Sequence, residues 1–189
     1  VLTSAGNFDN KNVGNGKTVT ISGLSLGGTD ALNYDLLSNT ATTTANITKA
    51  NITAVTGITA NNKVYDGSST ATLNLNNAGF TGKFAGDILT ATGATGAFIE
   101  PHVGLAKTVN ISGITLGGAD ANNYTLVNST ATTIADITKA TISAITGITA
   151  NNKVYNANTV ASLNVGTVSF VGAVTGDDLS LIHISEPTR

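Results

Sequence analysis

The residues able to do chemistry are few and far apart. The chain has two histidines, His102 and His183, and no cysteine, which excludes thiolate nucleophiles, disulfides and cysteine-based zinc sites. His102 matches Asn12 at the corresponding point of an internal repeat, and no nucleophile–base–acid set recurs with it. No catalytic residue, cofactor or enzyme activity is therefore expected. Asp66, Asp87 and Asp120 stand close to glycines, as in calcium-binding turns, but Asp66 becomes Asn156 in the second copy and a cation site there would lose a full charge. The glycine–aspartate turns also lack the nonapeptide spacing of a calcium-binding β-helix, so no metal site is expected. Asn-x-Ser/Thr triplets begin at Asn46, Asn51, Asn110, Asn123 and Asn128, in a chain whose Asn and Thr content produces several by chance.

What positions these residues is a repeat. TGITANNKVY occurs unchanged as Thr56–Tyr65 and as Thr146–Tyr155, 90 residues apart. The same offset relates Lys17–Leu36 to Lys107–Leu126, and the ITKA of Ile47–Ala50 to that of Ile137–Ala140. The chain reads as a piece of a tandem array. Residues 51–140 form one complete unit, 1–50 the C-terminal half of a preceding unit and 141–180 the N-terminal half of the next. Residues 181–189, LIHISEPTR, depart from the repeat and resemble the translation of a sequencing adapter, so they are read as a non-native tail. No linker rich in Pro, Ser or Gly separates the units. Neighbouring repeats in the same chain are the expected partners.

Composition narrows the class further. Charged residues are 11% of the chain, against about 25% in ordinary globular domains, and net charge is −2. With no basic cluster to displace phosphate counterions, a nucleic-acid partner is not expected. A hydrophobic share of 41% opposes disorder. No apolar run approaches membrane-spanning length, so insertion of these residues into a membrane is not expected either.

The hydrophobic period is that of strands. Val19 and Ile21 alternate with Thr18 and Thr20, and the apolar series changes face across Gly23, as it does across Gly113. Thr70–Leu75 and Thr132–Lys139 alternate too, and no window of helical length shows helical periodicity. The expected fold is all-β, as tandem immunoglobulin-like Greek-key β-sandwich units of about 90 residues; a helix-poor β-grasp-like unit is the alternative. Asp30 precedes Tyr34 as Asp120 precedes Tyr124, after paired glycines in both copies. That spacing suggests a tyrosine corner, in which the Tyr124 hydroxyl would bond to backbone near Gly118–Asp120. Tyr34, Tyr65, Tyr124 and Tyr155 all recur in register and are expected at core positions.

Tyr65-Asp66-Gly67 within KVYDGSSTATL, followed some fifty residues later by GGADANNYTL, resembles the YDG repeat of large bacterial cell-surface proteins, including haemagglutinin-like adhesins. The second copy departs from it, with Asn156-Ala157 after Tyr155. The resemblance implies an extracellular repeat of an adhesin or similar bacterial surface protein, and the repetition of near-identical units favours a structural stalk that projects a distal adhesive region, since a rod needs repetition and a binding site does not. The alternative it leaves open is a module that itself binds a host-surface glycan or matrix protein through its loops.

Overall fold

A computed structural model describes residues 6–182. His183 and most of the C-terminal nonapeptide lie outside the described residues, as do residues 1–5. The backbone is all-β, with short strands and two 3-10 turns, Ala31–Asn33 and Ala121–Asn123. It forms two compact units that interleave in sequence. One is built from residues 6–58, 75–94 and 113–131, the other from 59–74, 95–112 and 132–182. The 90-residue repeat at 51–140 thus contributes to both, and each unit also takes in one flanking half-repeat.

In the first unit, Gly6–Phe8, Gly14–Ile21 and Ala41–Ile47 make a three-stranded antiparallel sheet. Val19 and Ile21 are half-buried between exposed Thr18 and Thr20, as their alternation requires. Ala54–Thr56 pairs antiparallel with Gly79–Thr81, and Thr90–Thr92 with Thr115–Gly117. Ala50–Ile52 pairs with Tyr124–Leu126 in parallel. Ile52, Val55, Ile58, Leu89, Ala91, Ile114 and Tyr124 are buried here. Each large aliphatic among them contributes roughly 1.5–3 kcal/mol through removal from water.

The second unit centres on a five-stranded sheet in the order Lys63–Val64, Ala131–Thr138, Gly104–Ser112, Thr95–Phe98, Thr70–Ala71. Its first two strands run parallel. Ala71, Phe98, Val109, Ala135 and Ile137 form its core, with Ala60, Tyr65 and Leu73 packed against them. Two antiparallel ladders, Ala144–Thr146 with Ser169–Val171 and Thr149–Ala150 with Leu163–Asn164, belong to the same unit.

The repeat is visible in backbone detail. A bulge falls between Gly14 and Lys17, where Gly16 has φ 60° and its N–H donates to Asn46 Oδ1 at 2.8 Å. At the matching position Ala106 has φ 49° and donates to Asp136 Oδ1 at 2.7 Å. Gly23 and Gly113, across which the apolar series changes parity, share a left-handed backbone, with φ 72° and 71°.

One expectation is corrected by burial. Tyr124 is 3% exposed, but Tyr34 is 71% and Tyr155 89% exposed, so equivalent tyrosines do not all occupy core positions. The physical reason is long-range cover: the Tyr124 hydroxyl is held by the segment around Phe84–Asp87, and no described residues stand in that relation to Tyr34.

Candidate functional site

Each unit holds a tyrosine–aspartate centre, and the first is built on a turn pinned from outside itself. Asp120 sits at the start of the turn Ala121–Asn123. Its N–H donates to Ile88 O at 3.2 Å, while its Oδ2 accepts the Ile88 N–H at 2.8 Å. Gly118 enters this clip with φ 98°, and a Cβ there would lie 2.5 Å from Ile88 O, so only glycine fits. The turn delivers Tyr124 to the start of its strand. The Tyr124 hydroxyl donates to Asp87 Oδ2 at 2.6 Å and accepts the Phe84 N–H at 3.0 Å. This corrects the expected corner. The Gly118 and Asp120 carbonyls already accept the N–H groups of Ala121 and Asn123, and the Asp120 N–H is given to Ile88, so the hydroxyl bonds to the turn at 84–87 instead. The Phe84 ring lies 6.4 Å from that of Tyr124, tilted by 40°.

The loop at 11–13, from the preceding half-repeat, closes the centre. Lys11 Nζ is 2.5 Å from Asp87 Oδ1 and 3.3 Å from Asp120 Oδ1. Asn123 Oδ1 accepts the Val13 N–H at 2.9 Å, and Asn123 Nδ2 donates to Asn12 Oδ1 at 3.2 Å. A cavity of about 300 Å³ opens here, lined by Val13, Ile47, Ala50 and Phe84 among others. The Lys11 ammonium, helped by the Tyr124 hydroxyl, holds the Asp87 carboxyl below its ordinary value. Asp87 and Asp120 in turn raise Lys11. Burial, reinforced by Asp87, pushes the Tyr124 phenol up.

The second centre uses a different tyrosine at the corresponding aspartate. Tyr65 packs its ring on the five-stranded sheet's core and donates its hydroxyl to Asp177 Oδ1 at 2.8 Å. That bond raises the Tyr65 phenol above its usual value. A cavity of about 230 Å³ adjoins it, lined by Val103, Ala140, Val174 and Asp177 among others. Val13, Ala50, Phe84 and Asp87 of the first cavity stand one repeat period before those four residues.

The Tyr65-Asp66-Gly67 turn is locked by a lysine. Lys63 Nζ reaches Asp66 Oδ1 at 2.6 Å, Ser68 O at 3.1 Å and Thr70 O at 3.2 Å. Asp66 Oδ1 also accepts the Ser68 N–H at 2.9 Å, and together these partners, Lys63 foremost, lower the Asp66 carboxyl to about 2. In the second copy Lys153 Nζ reaches Asn156 Oδ1 at 3.0 Å, Asn158 O at 2.7 Å and Val160 O at 2.9 Å. An amide oxygen thus replaces the carboxylate in the same cradle. Ala157 keeps the left-handed backbone of Gly67, with φ 58° against 76°.

Of the residues singled out by sequence, the structure brings Asp120 and Tyr124 into one centre and places Tyr65 in the other, with Asp66 and Gly67 shaping its turn. Asp30 and Tyr34 are exposed, as is Tyr155, and they join neither centre. Asp87 and Asp177 are the residues whose role the sequence reading missed, although their recurrence as Gly86-Asp87 and Gly176-Asp177 was a usable signal. Lys11 gave none, because Pro101 stands at its matching position. Among the described residues, no three or more His, Cys, Asp or Glu side chains converge as they would around a metal ion. What both centres do is tie together segments far apart in sequence.

A family profile described as the YDG domain matches residues 1–45 and again 48–133. Comparison with curated proteins and with solved structures gives no match. With two successive matches spanning most of its length, the chain belongs to the YDG domain family.

Proposed function

We propose that the chain is a stalk section of a secreted bacterial surface adhesin, a spacer that carries a distal adhesive region away from the cell. The observation that carries this reading is the division of the repeat. Each compact unit combines a flanking half-repeat with part of the complete one, so successive repeats meet in folded structure and not across a slack linker. A stalk needs this property, because stiffness depends on what happens where one repeat meets the next. The matching tyrosine–aspartate centres support the same reading, since both join residues of successive repeats.

Small-angle scattering from chains of two to six consecutive repeats tests the proposal. A stalk gives a maximum dimension that grows linearly with repeat number. Growth as the square root of repeat number, as for freely jointed beads, would overturn it. Saturable binding of a glycan or matrix protein to the same chains, abolished by loop substitutions, would favour the binding-module reading.

A further inference from the structure

We propose that the Tyr65-Asp66-Gly67 turn is the docking knuckle by which one repeat engages, and discriminates, the repeat that follows it; this rests on the spacer reading above. Tyr65 and Gly67 belong to the repeat at 51–140, and the residues they meet belong to the next one. The Tyr65 hydroxyl donates to Asp177. Gly67 faces Val174 so closely that an added Cβ would lie 3.0 Å from Val174 Cγ1. Asp66 has a different task. Its carboxylate holds Lys63 and the Ser68 N–H, fixing the turn that presents its two neighbours.

The knuckle is rigid on its own side. The Tyr65 N–H donates to Thr138 O at 2.8 Å, extending the parallel ladder between Lys63–Val64 and Ala131–Thr138, and the Tyr65 ring is anchored on the sheet's core. The receiving side is a turn as well. The Asp177 N–H donates to Val174 O at 3.1 Å, with Gly176 at φ 98° between them, so the carboxylate and the valine are displayed together. The partner that fits is therefore another repeat of this family with Gly-Asp at the turn and a compact aliphatic residue three positions before the Asp. Discrimination arises because a phenol without its carboxylate, or a bulkier turn against Val174, loses one of two adjoining contacts.

Hydrogen exchange on the full chain, with Tyr65→Phe, Asp177→Ala and the double variant, tests the hydrogen bond. Each single variant is expected to speed exchange in Ser169–Val171 roughly 3- to 10-fold, leaving Gly104–Ser112 unchanged, and the double variant to be no faster than the worse single one. Unchanged exchange at Ser169–Val171, or single effects that multiply, overturns the proposal. Gly67→Ala tests the packing contact: Ala157 shows that this turn accepts alanine, the left-handed backbone contributes part of the expected acceleration, and the part due to Val174 is expected to be recovered by adding Val174→Ala. Absence of recovery also counts against the knuckle. Scattering from unsubstituted repeats separates the two readings. An uncoupled cycle in a rod-like array removes the knuckle alone, and a coupled cycle in a flexible array removes the spacer alone.

Discussion

Tyr124 and Asp87 are joined by a 2.6 Å hydrogen bond from phenol to carboxylate, and the Phe84 N–H fills the other side of the same hydroxyl at 3.0 Å. The ring itself is 3% exposed. One oxygen therefore satisfies a backbone donor and a charged acceptor that are both partly buried. Tyr124→Phe keeps the ring and strips both bonds, which leaves the Phe84 N–H without this acceptor and Asp87 without its phenol donor. The melting temperature is expected to fall by on the order of 4–8 °C, with the cooperativity of unfolding retained. A variant that melts with the parent would contradict this role.

This bond also marks where sequence reading stops. Alternation of Val19 and Ile21 with threonines exposed the strands, and the face changes at Gly23 and Gly113 were legible because glycine permits what the backbone needs there. Those features depend on near neighbours. The parallel pairing of Ala50–Ile52 with Tyr124–Leu126 depends on residues far apart in the chain, and nothing local encodes it. The hydroxyl partner of Tyr124 is not locally encoded for the same reason: the Gly118 and Asp120 carbonyls are taken within the turn by Ala121 and Asn123, and the phenol reaches Asp87 instead. Lys11 was invisible because the repeat does not preserve it.

Stability should be flat across neutral pH and fall on both sides. Asp66, Asp87, Asp9 and Glu100 are all held below their ordinary values by nearby lysines and hydrogen bonds. A lowered carboxyl stabilises the fold above its unfolded value, near 3.8 for aspartate, and that contribution is lost as pH falls toward about 2, the value for Asp66. Lys11 and Tyr124 are raised, so their contributions are complete below roughly pH 10 and are lost as pH rises beyond it. Thermal melts are expected to plateau from about pH 5 to 9, and Asp87→Asn should flatten part of the acid limb. A steady slope between pH 5 and 8 would contradict the assignment.

Two glycines with positive φ should respond very differently to alanine. Gly16 has φ 60° with nothing within 4 Å of a new Cβ, and Ala106 occupies the matching bulge. Gly82 has φ 101°, and its Cβ would lie 2.3 Å from Asn51 O. Gly16→Ala is expected to cost about 1 kcal/mol, and Gly82→Ala on the order of 3 kcal/mol once the backbone must move. Denaturant titration of both variants checks the order, and equal losses would contradict it.

The Asp66 cradle should tolerate an amide better than a methyl. Asn156 already accepts Lys153 Nζ at 3.0 Å in the same turn. Asp66→Asn, which keeps an acceptor but loses the charge, is expected to accelerate hydrogen exchange around Ser68–Thr70 less than Asp66→Ala, which removes the acceptor for both Lys63 and the Ser68 N–H. Equal acceleration in the two variants would show that charge, and not hydrogen-bond geometry, fixes the turn.

The central claim is that folding is shared between successive repeats, because the repeat at 51–140 is divided between two compact units, each completed by a neighbour's residues. The most direct measurement is the melting temperature of proteins containing one, two, three and four consecutive 90-residue repeats. The account predicts a low value for one repeat, a steep rise to two and three, and levelling thereafter, with a single cooperative transition sharpening as the array lengthens. A lone repeat that melts at the same temperature as four would contradict it.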